Sequence, residues 1–347
     1  MLLKCLGWLV TWILIVLLIA CSQDPPAEKA GKKESHQGAF RVAMLLPGPA
    51  DDQSWNTTGY SALLMVRQKL GATVDYTENV AQKDMEPLFE RYARERYDLV
   101  IGHGGQFIAA AEQAANRFPR TNFMVVGTNA GNNVNLGTVQ FSQEELGFLA
   151  GAVAGLKTRS NKTAYISGKP YTHMNEKGAS FIAGAHYINP STQALSLTLN
   201  TWTDTEKGVE CGHKLIEAGF DVLAVDADSA GLPIHQLAEK ASIHTIGWAA
   251  DQYELAEKAI LTSGIQRAEV AILAGAELVR LGRWEGKLYK FGIKDGAQNL
   301  APFRGKLDTK QELTMARLQK DILEGRIDPV SLTSILEATP CSSLVMT

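Results

Sequence analysis

Apolar runs short enough for strands alternate with longer stretches of helical spacing over most of the chain. Strand-like runs fall at 41–46, 72–76, 98–102, 122–127 and 138–141, and apolar positions recur every three or four residues at 57–70, 84–96, 106–117 and 143–156. The rhythm then repeats, with strands predicted near 163–167, 193–199, 221–225 and 243–247 and helices near 176–187, 206–218 and 232–240. Apolar strands separated by helices belong in a parallel sheet covered on both faces. The expected fold class is α/β, with two similar Rossmann-like parallel-sheet domains, and 347 residues suffice for two cores. In the helix predicted near 146–156, Gly147, Gly151 and Gly155 stand four apart. One face is nearly bare backbone and is expected to pack closely on its own sheet.

Small-molecule sites in such folds lie where buried strands end in polar loops. The stretch Asp51-Asp52-Gln53-Ser54-Trp55-Asn56 directly follows the first strand-like run and precedes a helix. Its Trp offers a flat apolar face beside hydrogen-bonding groups, although Asp, Ser and Asn are also ordinary helix N-caps. Trp202, in Asn200-Thr201-Trp202-Thr203-Asp204, has the same setting in the second half. Two Trp faces at matching strand ends are suited to sandwich a flat ligand. The loop Gly102-His103-Gly104-Gly105 ends another strand. Gly104 and its neighbours permit close backbone approach, and His103 either reaches a ligand across the mouth or is a turn histidine without a role.

The N-terminus narrows where such a cleft works. Lys4, the apolar stretch 6–19 and Leu18-Ile19-Ala20-Cys21 read as an export signal whose small-residue site ends in Cys. That ending resembles a bacterial lipobox, with Cys21 lipidated; the other reading is an uncleaved membrane helix, for which the stretch is short of the roughly 20 residues required. Either way the bulk of the protein is expected outside the cytoplasm. Segment 22–38, with Pro25-Pro26 and Lys32-Lys33, reads as a flexible tether. Of four cysteines, Cys5 and Cys21 are then used or removed, which leaves Cys211 and Cys341. Cys341 falls in a tail expected to be unstructured, so no bridge between them is expected.

Several chemistries have no anchor. A formal net charge of −3 and the lack of basic runs with interleaved aromatics disfavour nucleic-acid binding. The third glycine of a dinucleotide fingerprint falls on Phe107, and no Gly-x-Ser-x-Gly elbow or His-Glu-x-x-His helix occurs. The seven histidines are scattered without metal-ligand spacing. No enzyme activity, metal or cofactor is expected.

The run from Gly48 to Asn56 resembles the Gly-x-x-Asp-Asp-x-Ser-Phe-Asn signature of the basic membrane protein (BMP) family of substrate-binding lipoproteins. Further matches follow in order: Glu145 through Gly151, Gly219-Phe220-Asp221-Val222, Ile246-Gly247 with Asp251-Gln252, Leu261-Thr262-Ser263, and Phe291 through Gly296. The resemblance implies a type I periplasmic-binding-protein fold with interleaved connectivity. It divides the chain into a signal peptide (1–20), a tether (21–39), a first domain (40–138 plus 252–287), a second domain (139–251 plus 288–335) and a tail (336–347), with crossings near Gly137, Ala250 and Gly286. It also implies capture of nucleosides for an ABC importer, with the base between Trp55 and Trp202 and with Asp52 and Asn56 at its edge.

Three departures alter that picture. Gly127, Ala249 and Gln266 stand where nucleoside binders carry charged residues that grip the sugar. Asn129, Asp228 and Asp251 are the candidate replacements. The Trp of the signature and the Gly-His-Gly loop resemble the Med-type branch of the family, surface lipoproteins linked to regulation. The expected function is a monomeric, membrane-anchored, extracytoplasmic solute-binding protein that takes a small flat ligand and serves an ABC permease. The alternative is a regulatory or sensory lipoprotein of the same fold, read by a membrane sensor.

Overall fold

The computed structural model describes residues 38–52, 54–334 and 336–344. The export signal with Cys21 and nearly all of the tether lie outside the described residues. Chain order opens with strand β1 (Arg41–Leu45), helix α1 (Trp55–Leu70), β2 (Thr73–Thr77), α2 (Met85–Arg94), β3 (Leu99–Gly102), α3 (Ile108–Arg117), β4 (Asn122–Val126) and β5 (Leu136–Phe141). These strands, with β11 (Leu288–Phe291) at the edge, form a parallel sheet of order β11-β5-β4-β3-β1-β2. Period-two alternation sends Val42 and Met44 to one face, where they meet Leu63, Val66 and Ile272. Ala43 and Leu45 go to the other, against Phe89, Tyr92 and Ala111. Both faces are buried from Val42 onward, which is why β1 is apolar after Arg41.

The second lobe begins with α4 (Gln143–Lys157) and continues through β6 (Lys162–Ser167), α5 (Thr172–Ile188), β7 (Gln193–Thr198), α6 (Thr205–Glu217), β8 (Val222–Asp226), α7 (Asp228–Lys240), β9 (His244–Ala249) and β10 (Ile260–Gln266). After α8 (Ala268–Arg280) and β11, both in the first lobe, it is completed by β12 (Gln298–Leu300), α9 (Thr309–Leu323) and β13 (Thr339–Pro340). Its sheet order is β12-β10-β9-β8-β6-β7-β13, parallel except for β12.

These pairings correct the expected domain boundaries. All of β5 pairs within the first sheet, β10 lies beside β9 in the second, and β11 returns to the first beside β5. The crossings therefore fall at Ser142, Arg267 and Gly292, not near Gly137, Ala250 and Gly286. Backbone bonds from Ser142 N–H to the Phe291 carbonyl (2.9 Å) and from Arg267 N–H to the Ala297 carbonyl (2.7 Å) tie the crossings down. Glu145 accepts from the Ile293 N–H at 2.8 Å, and its carboxyl is raised chiefly by burial there.

Two further expectations are corrected. The glycine face of α4 packs on α5, not on the sheet: a Cβ at Gly151 would overlap the Phe181 carbonyl, and one at Gly184 the Phe148 carbonyl. Removing side chains from both helices lets their backbones touch. We expect Gly151→Ala to cost about 1–3 kcal/mol in urea unfolding, because backbone cannot yield as a side-chain tip can. An unchanged midpoint would mean that the helices separate freely. The tail, secondly, is structured over the described residues 336–344, adds β13 to the edge at β7, and carries Cys341 into a disulfide with Cys211. The local polarity of the tail hides this, since its anchors lie far away in sequence.

Candidate ligand-binding cleft

Asp52 organises the loop after β1. Its Oδ1 accepts from the N–H groups of Ser54 (2.9 Å) and Thr57 (3.0 Å), and its Oδ2 from the N–H (3.0 Å) and Nδ2 (2.7 Å) of Asn56. These bonds satisfy two of the orphan donors that open α1. Asn56 Oδ1 accepts from the Gly48 N–H at 3.2 Å. The two polar residues expected at a ligand edge thus have their atoms engaged in holding the loop.

The same loop presents Trp55. Its indole stacks on His103 with centroids 4.3 Å apart and planes 16° apart, and meets the edge of Phe141 at 6.4 Å. Trp55 Nε1 donates to the His103 carbonyl (3.2 Å), and His103 Nε2 donates to the Trp55 carbonyl (2.9 Å). Burial pushes His103 down to about 4, so the ring is neutral at physiological pH. His103 is fully buried and supports Trp55 from behind, so it neither stands at the mouth nor is a turn histidine without a role. Gly104, at φ 145°, makes the turn that begins this support.

Across from this loop stand the strand ends of the second lobe. Trp202 lies against Gly168, where any Cβ would overlap its ring, and tilts toward Tyr171 at 6.4 Å. Its carbonyl accepts from the Ala230 N–H (3.0 Å), which fastens the Trp202 loop to the first turn of α7. Asp228 opens that helix at φ 44°, a left-handed conformation uncommon for a residue with a side chain. Ser54 sits at the N-cap position of α1 yet donates its hydroxyl to Asp228 Oδ1 at 2.8 Å. This bond joins the two lobes.

Beneath Asp228, Lys177 is 3% exposed and ion-paired with Asp226, which also accepts from the Tyr165 hydroxyl at 2.8 Å. Lys177 Nζ lies 5.2 Å from the Trp248 ring. Desolvation pushes the Asp228 carboxyl up to about 7; the Ser54 hydrogen bond opposes this, Asp226 and Asp52 add to it, and Lys177 opposes it. The folded protein therefore holds a proton that the unfolded chain releases. Stability from this group is fully present below the ordinary carboxyl range and is lost as pH rises to about 7. We expect the stability advantage of wild type over Asp228→Asn, from urea unfolding at several pH values, to shrink across that window. A difference independent of pH would show that Asp228 does not titrate there.

The remaining expected residues are exposed. Asp251 is paired with Arg304, which also covers the Tyr253 ring at 4.4 Å. Asn129 is exposed, and its carbonyl accepts from Thr138 Oγ1. Sequence reasoning missed Lys177, Asp226 and the reach of Ser54. Only Ser54 left a signal, because it lies within the motif that drew attention to the loop.

Two sheet-based lobes, joined by three crossings and facing each other through strand-end loops, define a bilobal solute-binding protein. A family model described as ABC transporter substrate-binding protein PnrA-like matches residues 39–326, and the chain belongs to this Bmp family. Among curated relatives it is similar to the transcriptional activator protein med of Bacillus subtilis, at 28% identity over 88% of this chain and 93% of that one. It is also similar to a purine-binding protein of Brucella abortus, at 25% identity over 84% of each. Two solved structures share the fold, each with a TM-score of 0.73. An ABC transporter solute-binding protein from Aeropyrum pernix K1 is 18% identical and covers 83% of this chain and 92% of that one. A transcriptional activator of the comK gene from Bacillus halodurans is 21% identical and covers 84% of this chain and all of that one. The family is one of solute-binding proteins rather than enzymes. Among the described residues no helix is long and apolar enough to cross a membrane, and no group of residues is placed to hold a metal ion.

Proposed function

We propose that the protein captures a small flat solute, nucleoside-like or heterocyclic, between the Trp55 and Trp202 loops and presents it to an ABC permease. A lipid on Cys21 would hold it, as a monomer, at the outer face of a bacterial membrane. The observation that carries this reading is the placement of the two half-buried indoles on loops at strand ends of opposite lobes. Each is backed on one side, Trp55 by His103 and Trp202 by Gly168. The purine-binding relative supports a ring as ligand. Gly127, Ala249 and Gln266 argue that any sugar is held differently from the charged grip of nucleoside binders.

Thermal unfolding against nucleosides, free bases, other flat heterocycles and sugars tests this. A ligand at about 100 times its Kd should stabilise the protein by about 2.7 kcal/mol. Trp202→Ala should weaken binding by about 1–3 kcal/mol, the usual worth of a stacked ring. A melting shift that survives Trp55→Ala combined with Trp202→Ala would refute the sandwich.

A second reading, regulation without transport, has its own support. One relative is named as a transcriptional activator, and the Ser54–Asp228 bond lets the lobes meet through the protein's own side chains.

A further inference from the structure

We propose that Ser54 and Asp228 form a proton-gated latch that closes the two lobes on each other through the protein's own side chains, in acid and not in alkali. The latch is independent of which solute the cleft takes.

Two residues give up local roles to make this contact. Ser54 stands at the N-cap of α1, where a serine hydroxyl ordinarily accepts from the second or third N–H of the helix. Its side chain makes no such bond, because Asp52 already accepts from the N–H groups of Asn56 and Thr57. The hydroxyl, on a residue only 3% exposed, instead donates across the cleft to Asp228 Oδ1 at 2.8 Å. Asp228 is held at φ 44°, where a β-carbon is strained and glycine is the usual occupant. Such strain persists where the surrounding structure rewards it, and here the strained residue is the one whose carboxyl reaches the first lobe.

Both ends of the bond are firmly held. In the first lobe Asn56 Oδ1 ties the loop to the Gly48 N–H. In the second, the Ala230 N–H donates to the Trp202 carbonyl, and α6 lies so close to the start of α7 that a Cβ at Gly208 would overlap the Ala230 carbonyl. The bond therefore forms or breaks with the relative position of the lobes about their crossings, not with the wandering of a loop.

The groups around Asp228 decide which way pH acts. Asp226 and Lys177 belong to the second lobe, are paired with each other, and accompany Asp228 wherever the lobes stand. The first lobe brings the Asp52 carboxylate and removes water, and offers the Ser54 hydrogen bond in return. Desolvation outweighs that bond, Asp226 and Asp52 add to it and Lys177 opposes it, so the carboxyl is pushed up to about 7. His103, behind the Trp55 loop, and His173, near Lys177, are pushed down to about 4 and about 3 and stay neutral above that range. Joined lobes hold a proton that parted lobes release. Closure is thus favoured in acid and loses this support as pH rises through about 7.

Energy transfer between two dyes reads the lobe separation in the full chain without any solute. The dyes are carried by noncanonical residues in place of Lys83 and Thr203, which are exposed and lie between a strand and the next helix in opposite lobes, so the cysteines stay untouched. We expect the closed-to-open ratio at about pH 5.5 to exceed that at about pH 8.5 by at least about fivefold, with a ceiling of about thirtyfold if closure accounts for the whole rise of Asp228. Asp228→Asn, whose uncharged amide still accepts from Ser54, should stay closed at both pH values. Ser54→Ala should be more open than wild type in acid, and it carries the test alone should Asp228→Asn not fold. A smaller change with pH in wild type, a pH response that survives Asp228→Asn, or a Ser54→Ala protein as closed as wild type in acid overturns the latch. Because no solute is added, that failure leaves the aromatic cleft and its ligand untouched.

Discussion

Lys177→Met is expected to lower the free energy of unfolding by about 3–5 kcal/mol. Lys177 projects from α5 under the strand ends of the second lobe, where its ammonium is paired with Asp226 and roofed by Trp248. The loss comes less from the attraction itself than from what remains. Asp226 would be left as an uncompensated carboxylate, still tied to the buried Tyr165 hydroxyl. The double variant Lys177→Met with Asp226→Asn should recover most of the loss, because Asn accepts the Tyr165 hydrogen bond without carrying a charge. Urea unfolding at neutral pH checks both. If the single variant loses under about 1 kcal/mol, the pair behaves as a solvated surface pair instead. The change should also be felt nearby. Burial and the Lys177 charge push His173 down to about 3, so its imidazole resonances in NMR should titrate at a higher pH in Lys177→Met.

Removal of the disulfide should cost about 2–4 kcal/mol, the usual range for a native bridge. Cys211 of α6 and Cys341 of the tail are 130 residues apart, so the bond restrains a long stretch of the unfolded chain. In the folded state the described part of the tail is otherwise held by the short β13 ladder, the Ala338 N–H on Asn175, Lys214 Nζ on the Ser342 carbonyl and the packing of Leu344. Cys211→Ser with Cys341→Ser should lower the urea midpoint, and β13 amides should exchange before those of β7. Equal midpoints with and without reductant would show that the tail is held by packing alone.

Much of the architecture was legible because periodicity reports burial. Val42 through Leu45 read as a strand buried on both faces, and the structure uses each residue that way. Sheet membership was not legible: Ile260 through Gln266 joins the second sheet and Leu288 through Phe291 the first, although both are short mixed segments. Which neighbour a strand chooses depends on register with distant partners, and a local pattern carries no such information. The signature from Asp51 to Asn56 drew attention to the correct loop but concealed a division of labour. Asp52 and Asn56 bond within the loop, whereas Ser54 crosses the cleft. Asp, Asn and Ser cap helices and hold ligands with the same atoms, so spacing alone cannot separate the two roles.

By itself the sequence determined the alternation of strands and helices, the two-lobed α/β plan and the two tryptophans at strand ends. Each follows from local pattern, because apolar periodicity and polar loop chemistry act over a few residues. Only the tertiary structure decided that Cys211 meets Cys341, that Lys177 neutralises Asp226 and that Ser54 reaches Asp228. Those contacts join positions far apart in the chain, and their energies depend on burial, which exists only once the lobes have folded.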